Sequence, residues 1–460
     1  MTIRKITAFG LALVALLGLA AITHGVVVGS RTTLIISPPP EANQPSNGNS
    51  DNSVVSQDGG KAKYVAWEST ATNLVPGDGN SKKDVIVMER TQQEGNVGGK
   101  LSLGSSNSSG QPGNGDSGNP YIDGDSKRAP KCLVFESTST NFDKADKRAD
   151  SDIYLKNLNS KKTELVSDKG NAKNPSVDGE CEFVVFDAGG KIFVRELAKD
   201  KTSQIARGSN ADVQNNGKGV AYERGGQIYY TAFQKLFNKG NPIVKNKGSE
   251  MVVSKGSQGV GNGQSKNPDM DDNGYYVAFE STSTNLCTGL CTGVSGVDAN
   301  GPISDIFRAT ISSRAPTKDK MQMASYSFGV QQQGNGASNN PAMTSAGENI
   351  LFDSEATNLA EKPDIIPDAN GPIRDIYYWN YPRERKTGNV SRESRDDSVP
   401  RQAGTGQPYN GPATQPAVSN RANYISFTAN IANQSGDLNG GGISDIFLRF
   451  LGSSDEGRQD

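Results

Sequence analysis

Short apolar runs alternate with polar, glycine-rich connections along most of this chain, and the runs come in pairs. The first run of each pair carries an aromatic anchor: Trp67, Phe135, Phe186, Tyr222, Phe279, Phe352 and Phe427. The second follows a polar connection: Val85-Ile86-Val87, Ile153-Tyr154-Leu155, Ile192-Phe193-Val194, Ile228-Tyr229-Tyr230, Ile306-Phe307, Ile376-Tyr377-Tyr378 and Ile446-Phe447-Leu448. Runs this short, rich in Val, Ile, Phe and Tyr and bracketed by Gly, Asn, Asp and Pro, predict β-strands. No convincing amphipathic helix follows residue 30.

Two further elements flank each pair. A weaker segment precedes it, often opened by Asn-Pro and closed by Asp-Gly, as in Asn174-Pro175-Ser176-Val177-Asp178-Gly179. Asp-Gly suits a tight hairpin because glycine accepts a positive φ. A fourth strand follows the pair, for example Thr163-Glu164-Leu165-Val166-Ser167 or Met251-Val252-Val253-Ser254. Four strands per unit, repeated seven times without helices, predict an all-β, seven-bladed β-propeller in which no unit buries its apolar faces alone. The seventh unit runs out after its third strand, at Phe450, while Thr32-Thr33-Leu34-Ile35-Ile36-Ser37 reads as a fourth strand without a unit. Pairing of residues 32–37 with the strand around Ile446-Phe447-Leu448 would close the ring and remove its exposed edges; the alternative is a free juxtamembrane linker.

The wording VAWESTATNLVPGDGNSKKDVIVMER at the first unit resembles the TolB-type (WD40-like) β-propeller repeat of bacteria. The likeness covers nearly all of residues 50–450. Units three and four depart from it, with Gly189-Gly190-Lys191 and Gly225-Gly226-Gln227 in place of the long connection and its Asp; two- or three-residue hairpins are expected there. The resemblance implies the fold. It implies little about function, because such propellers serve as docking platforms, as accessory domains of enzymes and in other secreted roles.

Length alone would favour about three domains, but a closed ring is one unit, here residues 30–460. Apolar content is 33%, with 53 Gly, and the net charge is −2. Nothing is strongly basic, so a nucleic-acid partner has no electrostatic footprint. Residues 1–29 hold Arg4 and Lys5 before an apolar run, which reads as a cleaved signal peptide or an uncleaved membrane anchor. Either places the propeller outside the cytoplasm, whether periplasmic, secreted or held at the outer face of a membrane by that segment alone. Four cysteines fit an oxidising location. Cys287 and Cys291 share a loop and read as a local disulfide. Cys132 and Cys181 lie three and five residues before their anchors. That spacing puts both on the same face of their own sheets and argues against an easy bridge.

The only histidine is His24, in the targeting segment. This excludes Ser-His-Asp and Cys-His nucleophiles and the usual zinc sites from the propeller. Gly115-Asp116-Ser117-Gly118 mimics a serine-protease signature without a base to serve it. Two acidic patterns remain. The residue after the anchor is Glu68, Glu136, Asp187, Glu223, Glu280 or Asp353, and Thr428 in the seventh unit. Such a ring either binds a cation or amine, or pins neighbouring loops by accepting hydrogen bonds. The second pattern, Asp-x-Asn-Gly then Asp, occurs as Asp298, Asn300, Asp305; Asp368, Asn370, Asp375; and Asp437, Asn439, Asp445, with Asp78, Asn80, Asp84 as a shorter version. Alternating oxygens about a turn suit structural Ca²⁺; an Asx-turn capped by the last Asp is the alternative. No other cofactor is expected.

The connections between second and third strands, and the crossovers between units, share one face and are the elaborated ones. Loops on a rigid ring are the usual place for recognition. The expected function is therefore a non-catalytic protein-binding or scaffold module of the cell envelope, its partner another envelope or surface protein. The alternatives are a structural component of a surface assembly and an enzyme acting on surface polysaccharide through paired carboxylates.

Overall fold

The computed structural model describes residues 32–37, 44–59, 61–91, 97–125, 127–167, 169–233, 250–287, 298–315, 320–327, 332–359, 370–381, 389–394, 409–431 and 442–452. Seven four-stranded antiparallel sheets follow one another around a central axis. Their innermost strands are Ser50–Val55, Ser117–Ile122, Lys173–Val177, Ser209–Val213, Ser265–Met270, Ser338–Met343 and Ala413–Val418, which number the blades 1 to 7. Among the described residues the only helical element is the turn Leu197–Lys199, and no helix is long and apolar enough to cross a membrane.

The aromatic anchors fall on second strands, directly opposite an apolar residue of the third. In blades 2 to 7 both partners are aromatic and stack: Phe135 on Tyr154, Phe186 on Phe193, Tyr222 on Tyr229, Phe279 on Phe307, Phe352 on Tyr377 and Phe427 on Phe447, with centroids 5.4 to 5.9 Å apart. Each such pair adds about 1 kcal/mol beyond its burial. Blade 1 sets Trp67 against Ile86 instead. Among the described residues seven apolar clusters occur, each made by two adjacent blades; Tyr64, Ala66 and Val85 of blade 1, for example, meet Leu133, Phe135 and Tyr154 of blade 2. The core is thus distributed between blades, as stacked repeats require.

Residues 32–35 pair antiparallel with Asp445–Phe450, Leu34 opposite Leu448 and Ile35 opposite Phe447. The ring is closed by the N-terminal strand. One hydrogen-bond signature proves the equivalence. In blades 1, 2, 5 and 6 a serine after the fourth strand donates to the Asp that opens the third: Ser105 to Asp84, Ser167 to Asp152, Ser325 to Asp305 and Ser394 to Asp375. In blade 7 that serine is Ser37, donating to Asp445 at 2.7 Å. Blades 3 and 4 turn through Gly189-Gly190 and Gly225-Gly226, all with φ between 55° and 75°, the compact hairpins the glycine pairs lead one to expect.

The cysteines require a correction. Cys132 and Cys181 form a disulfide, Cα atoms 6.1 Å apart. Parity of strand faces does not apply to Cys181, because it precedes the strand Phe183–Ala188 and sits in the turn with φ 53°. That left-handed residue points its sulfur back to blade 2, and the bond staples blades 2 and 3. Gly179 does not supply the turn's positive φ; it is needed because a Cβ there would meet the Asn215 side chain. Cys287 is disulfide-bonded, and Cys291 lies outside the described residues, as do residues 1–29 with His24.

Candidate functional site: the central channel

Every innermost strand carries one extra residue against its neighbour, a β-bulge. At each bulge stands a side-chain amide in the left-handed region: Asn52, Asn119, Asn174, Asn210, Asn267, Asn340 and Gln415, φ 46° to 53°. Asn tolerates this conformation better than other L-residues because its short side chain bonds locally. The seven amides ring the mouth of the channel, on the face that carries the crossovers. Some join each other, as Asn52 to Asn119 and Asn210 to Asn267, both 3.0 Å.

The carboxylates after the anchors meet this ring. Glu68 accepts from the Asn119 backbone N–H, Glu136 from Asn174, Asp187 from Asn210, Glu223 from Asn267, Glu280 from Asn340 and Asp353 from Gln415, at 2.5 to 3.1 Å. Each bond runs from one blade to the next. Glu136, Asp187, Glu223 and Asp353 also accept the amide N–H of their own blade's Asn. Where blade 7 has Thr428, Gln415 supplies the oxygen instead and accepts from the Asn52 N–H at 3.1 Å. Burial raises the carboxyls of Glu136 and Asp187, opposed by these amide bonds. It raises Asp353 to about 6, opposed by Asn340 and Arg374.

Below the ring the channel, about 360 Å³ in volume, narrows. Tyr121 of blade 2 reaches past blade 3 and donates to Asp212 of blade 4 at 3.2 Å. Asp212 also accepts from the Met270 N–H at 2.8 Å, and Asp269 accepts from the Met343 N–H. Burial pushes Asp212 up to about 7; it also raises Asp269 well above the usual carboxylate range, with the Asp212 charge adding to the rise. At the far end Asn420 of blade 7 donates to Asp272 of blade 5 at 2.9 Å, and burial raises Asp272 to about 7. Side chains that span non-adjacent blades therefore constrict the channel away from its amide-ringed mouth.

The Asp-x-Asn-Gly pattern lies on the outer loops, away from the channel. In blade 5 the Gln333 amide donates to Asp298 at 2.9 Å and to Asp305 at 2.7 Å, while Asn300 bonds the Gly334 carbonyl. In blade 6 Asn370 bonds Asp375 and the Tyr409 carbonyl; Asp368, Asp437 and Asn439 lie outside the described residues. Asp445 takes Ser37, as above. Ser117, of the protease-like tetrapeptide, donates to Ser137 inside blade 2. Asp123 beside Cys132 and Cys181 places three metal-type ligand residues together, but both sulfurs are in the disulfide and Asp123 caps the Lys131 and Cys132 N–H groups.

The reading of the sequence missed the amide ring. Its trace was present as the recurring Asn-Pro at 119, 174, 267 and 340 and Gln415-Pro416, taken above only as an opening mark. It missed Asp212 and Asp269 because their shared position is acidic only in blades 4 and 5: the equivalent residues elsewhere are Val54, Tyr121, Ser176, Ala342 and Ala417.

No known protein-family pattern matches the chain, and no curated protein matches it. Solved structures do. TolB from Acinetobacter baumannii aligns with 76% of this chain and 66% of its own, at 12% identity and TM-score 0.39. An oligogalacturonate lyase in complex with manganese aligns over 93% and 99%, at 9% identity and TM-score 0.48. A Mycobacterium tuberculosis puromycin-hydrolyzing peptidase aligns over 88% of this chain and only 52% of its own, at 11% identity and TM-score 0.45. Similar structures thus include TolB proteins and enzymes alike, and at these identities the likeness concerns the fold. By its own blade topology and ring closure, the chain is a seven-bladed β-propeller, similar in fold to TolB.

Proposed function

We propose that this propeller is an exported, non-catalytic binding module of the cell envelope that takes a polar segment of a partner protein into the mouth of its channel. The observation that carries this is the ring of seven side-chain amides at a constricted, rigid pocket with carboxyls at its base. Such a pocket offers fixed donors and acceptors to one projecting chain. Export is supported by the targeting pattern of residues 1–29 and by the disulfide between Cys132 and Cys181, a bond favoured outside the cytoplasm. The strand at residues 32–35 runs up from the side opposite the amide ring, so an anchored form would turn that ring away from the membrane.

The test is affinity capture from envelope extract, followed by direct titration of the captured protein. A channel variant, Asp212→Asn with Asp269→Asn, should weaken binding about tenfold or more, as expected for loss of a central contact. Unchanged affinity would exclude the channel. A second reading has one observation in its favour: Asp212 and Asp269 are carboxyls of adjacent blades, both raised, in a polar channel, which suits acid–base attack on a polysaccharide. Against it, Asp212 has both oxygens engaged by Tyr121 and Met270. Cleavage of surface polymer that is abolished by Asp212→Asn would establish that reading instead.

A further inference from the structure

Five blades place two acids at the ends of the connection between second and third strands: Asp78 and Asp84 in blade 1, Asp146 and Asp152 in blade 2, Asp298 and Asp305 in blade 5, Asp368 and Asp375 in blade 6, Asp437 and Asp445 in blade 7. The described pairs outside blade 1 have a donor or cation supplied from the protein. In blade 5 the Gln333 amide bridges both carboxylates. In blade 2 the Tyr154 hydroxyl donates to Asp146 at 2.5 Å, and the Arg148 guanidinium lies 3.6 Å from Asp152. In blades 6 and 7 only the second acid is among the described residues, Arg392 lying 3.4 Å from Asp375 and Ser37 donating to Asp445 at 2.7 Å.

Blade 1 differs at one position. Its crossover sets Pro112 where blade 5 has Gln333; the same bond marks the equivalence, Asn141 donating to the Pro112 carbonyl at 3.0 Å and Asn358 to that of Gln333 at 2.9 Å. The proline side chain has no N–H to give. Asp78 is only 7% exposed; neither of its carboxylate oxygens takes a well-formed hydrogen bond, and the Asn80 backbone N–H is the one group that offsets its burial. Asp84, fully buried, accepts from Asn80 at 2.8 Å and Ser105 at 2.6 Å. Asp78 and Asp116 both add negative potential at the buried Asp84. Lys83, next to Asp84 in sequence, is committed to Glu68 at 3.0 Å, and Lys82 is exposed. A buried carboxylate so weakly partnered is costly.

We propose that Asp78 and Asp84 hold a divalent, oxygen-seeking cation, Ca²⁺ by its chemistry, which braces this connection between the second and third strands of blade 1. Asp78 offers both oxygens, Asp84 the open lone pair of the oxygen that takes Asn80, and water completes the shell. Ca²⁺ suits an irregular loop with hard oxygen ligands, whereas Mg²⁺ demands near-octahedral order and zinc seeks nitrogen or sulfur. With only two carboxylates, the affinity belongs with extracellular modules, about 0.1 to 1 mM.

The test uses the full chain stripped with chelator, then titrated with CaCl₂ by calorimetry and by thermal melting. One saturable Ca²⁺ site and a rise in melting temperature, unmatched by equal MgCl₂, are expected. Asp78→Asn keeps the shape and removes one of two buried like charges, so it should fold, as circular dichroism checks, and lose both effects. Asp298→Asn should keep them, because Gln333 already serves that pair. Absence of binding by the native chain, or undiminished binding by Asp78→Asn, overturns the proposal; so does loss confined to Asp298→Asn.

Discussion

Asp353 shows what the residue after each aromatic anchor contributes. Fully buried, it accepts from the Asn340 amide at 2.7 Å and the Gln415 N–H at 3.1 Å, and pairs with Arg374 at 2.6 Å. One carboxylate thereby satisfies the bulge of its own blade and that of the next. Asp353→Ala would leave all three groups short of a partner and should cost about 3 kcal/mol in equilibrium urea unfolding; a loss under about 1 kcal/mol would mean that the ring does not carry load between blades. The pattern of acids was legible in sequence, as was the choice between binding a cation and pinning a loop. The partners were not, because an acid's meaning depends on the amide that tertiary packing sets against it.

At the scale of elements, the glycine-rich crossovers look unstructured in sequence yet are tied down. Asn47, Asn114, Asn262 and Asn335 each donate to a threonine hydroxyl in a neighbouring connection, Thr72, Thr140, Thr284 and Thr357, at 2.9 to 3.0 Å. The following glycines are required by space: at Gly48, Gly115, Gly263 and Gly336 a Cβ would come within 2.7 Å of that connection's backbone. The third strands carry another inter-blade tie, with Arg308 buried among Tyr276, Trp379 and Tyr381, 4.5 to 5.0 Å from their rings. The staple between blades 2 and 3 closes a loop of 49 residues, worth about 4 kcal/mol on the chain-entropy account. Replacing Cys132 and Cys181 together with serine should lower stability by about 2 to 4 kcal/mol, and reduction of the native chain, which also opens the Cys287 disulfide, should lower it at least as far. A denaturation curve indifferent to reductant would refute this. Strand parity misjudged this bond because it describes extended chain, and Cys181 is in a turn.

For the whole molecule, closure concentrates acids in a dry interior. Asp123, Asp212, Asp272 and Asp305 are each raised by burial to about 7, against about 4 in an unfolded chain. Between those values the folded protein binds more protons than the unfolded one. Their contribution is therefore complete below about pH 4 and is lost as pH rises through about 7. The melting temperature should be higher near pH 5 than near pH 8, and Asp212→Asn should flatten the difference. A melting temperature that rises over the same interval would contradict the burial of these acids.

Composition and repeat determined most of the architecture: seven pairs of apolar runs, too short to be stable alone, must stack, while the surplus strand at residues 32–37 could complete the unit that lacks one or lie free, a choice that its pairing with residues 447–450 decides. The repeat carries this because each copy obeys the same local rule of alternation and turn. Only the folded ring decided which groups meet across it. The amide crown, the bond from Tyr121 to Asp212 and the weakly partnered Asp78 arise between residues far apart in sequence, at positions where the copies differ, and local pattern holds no record of such distances.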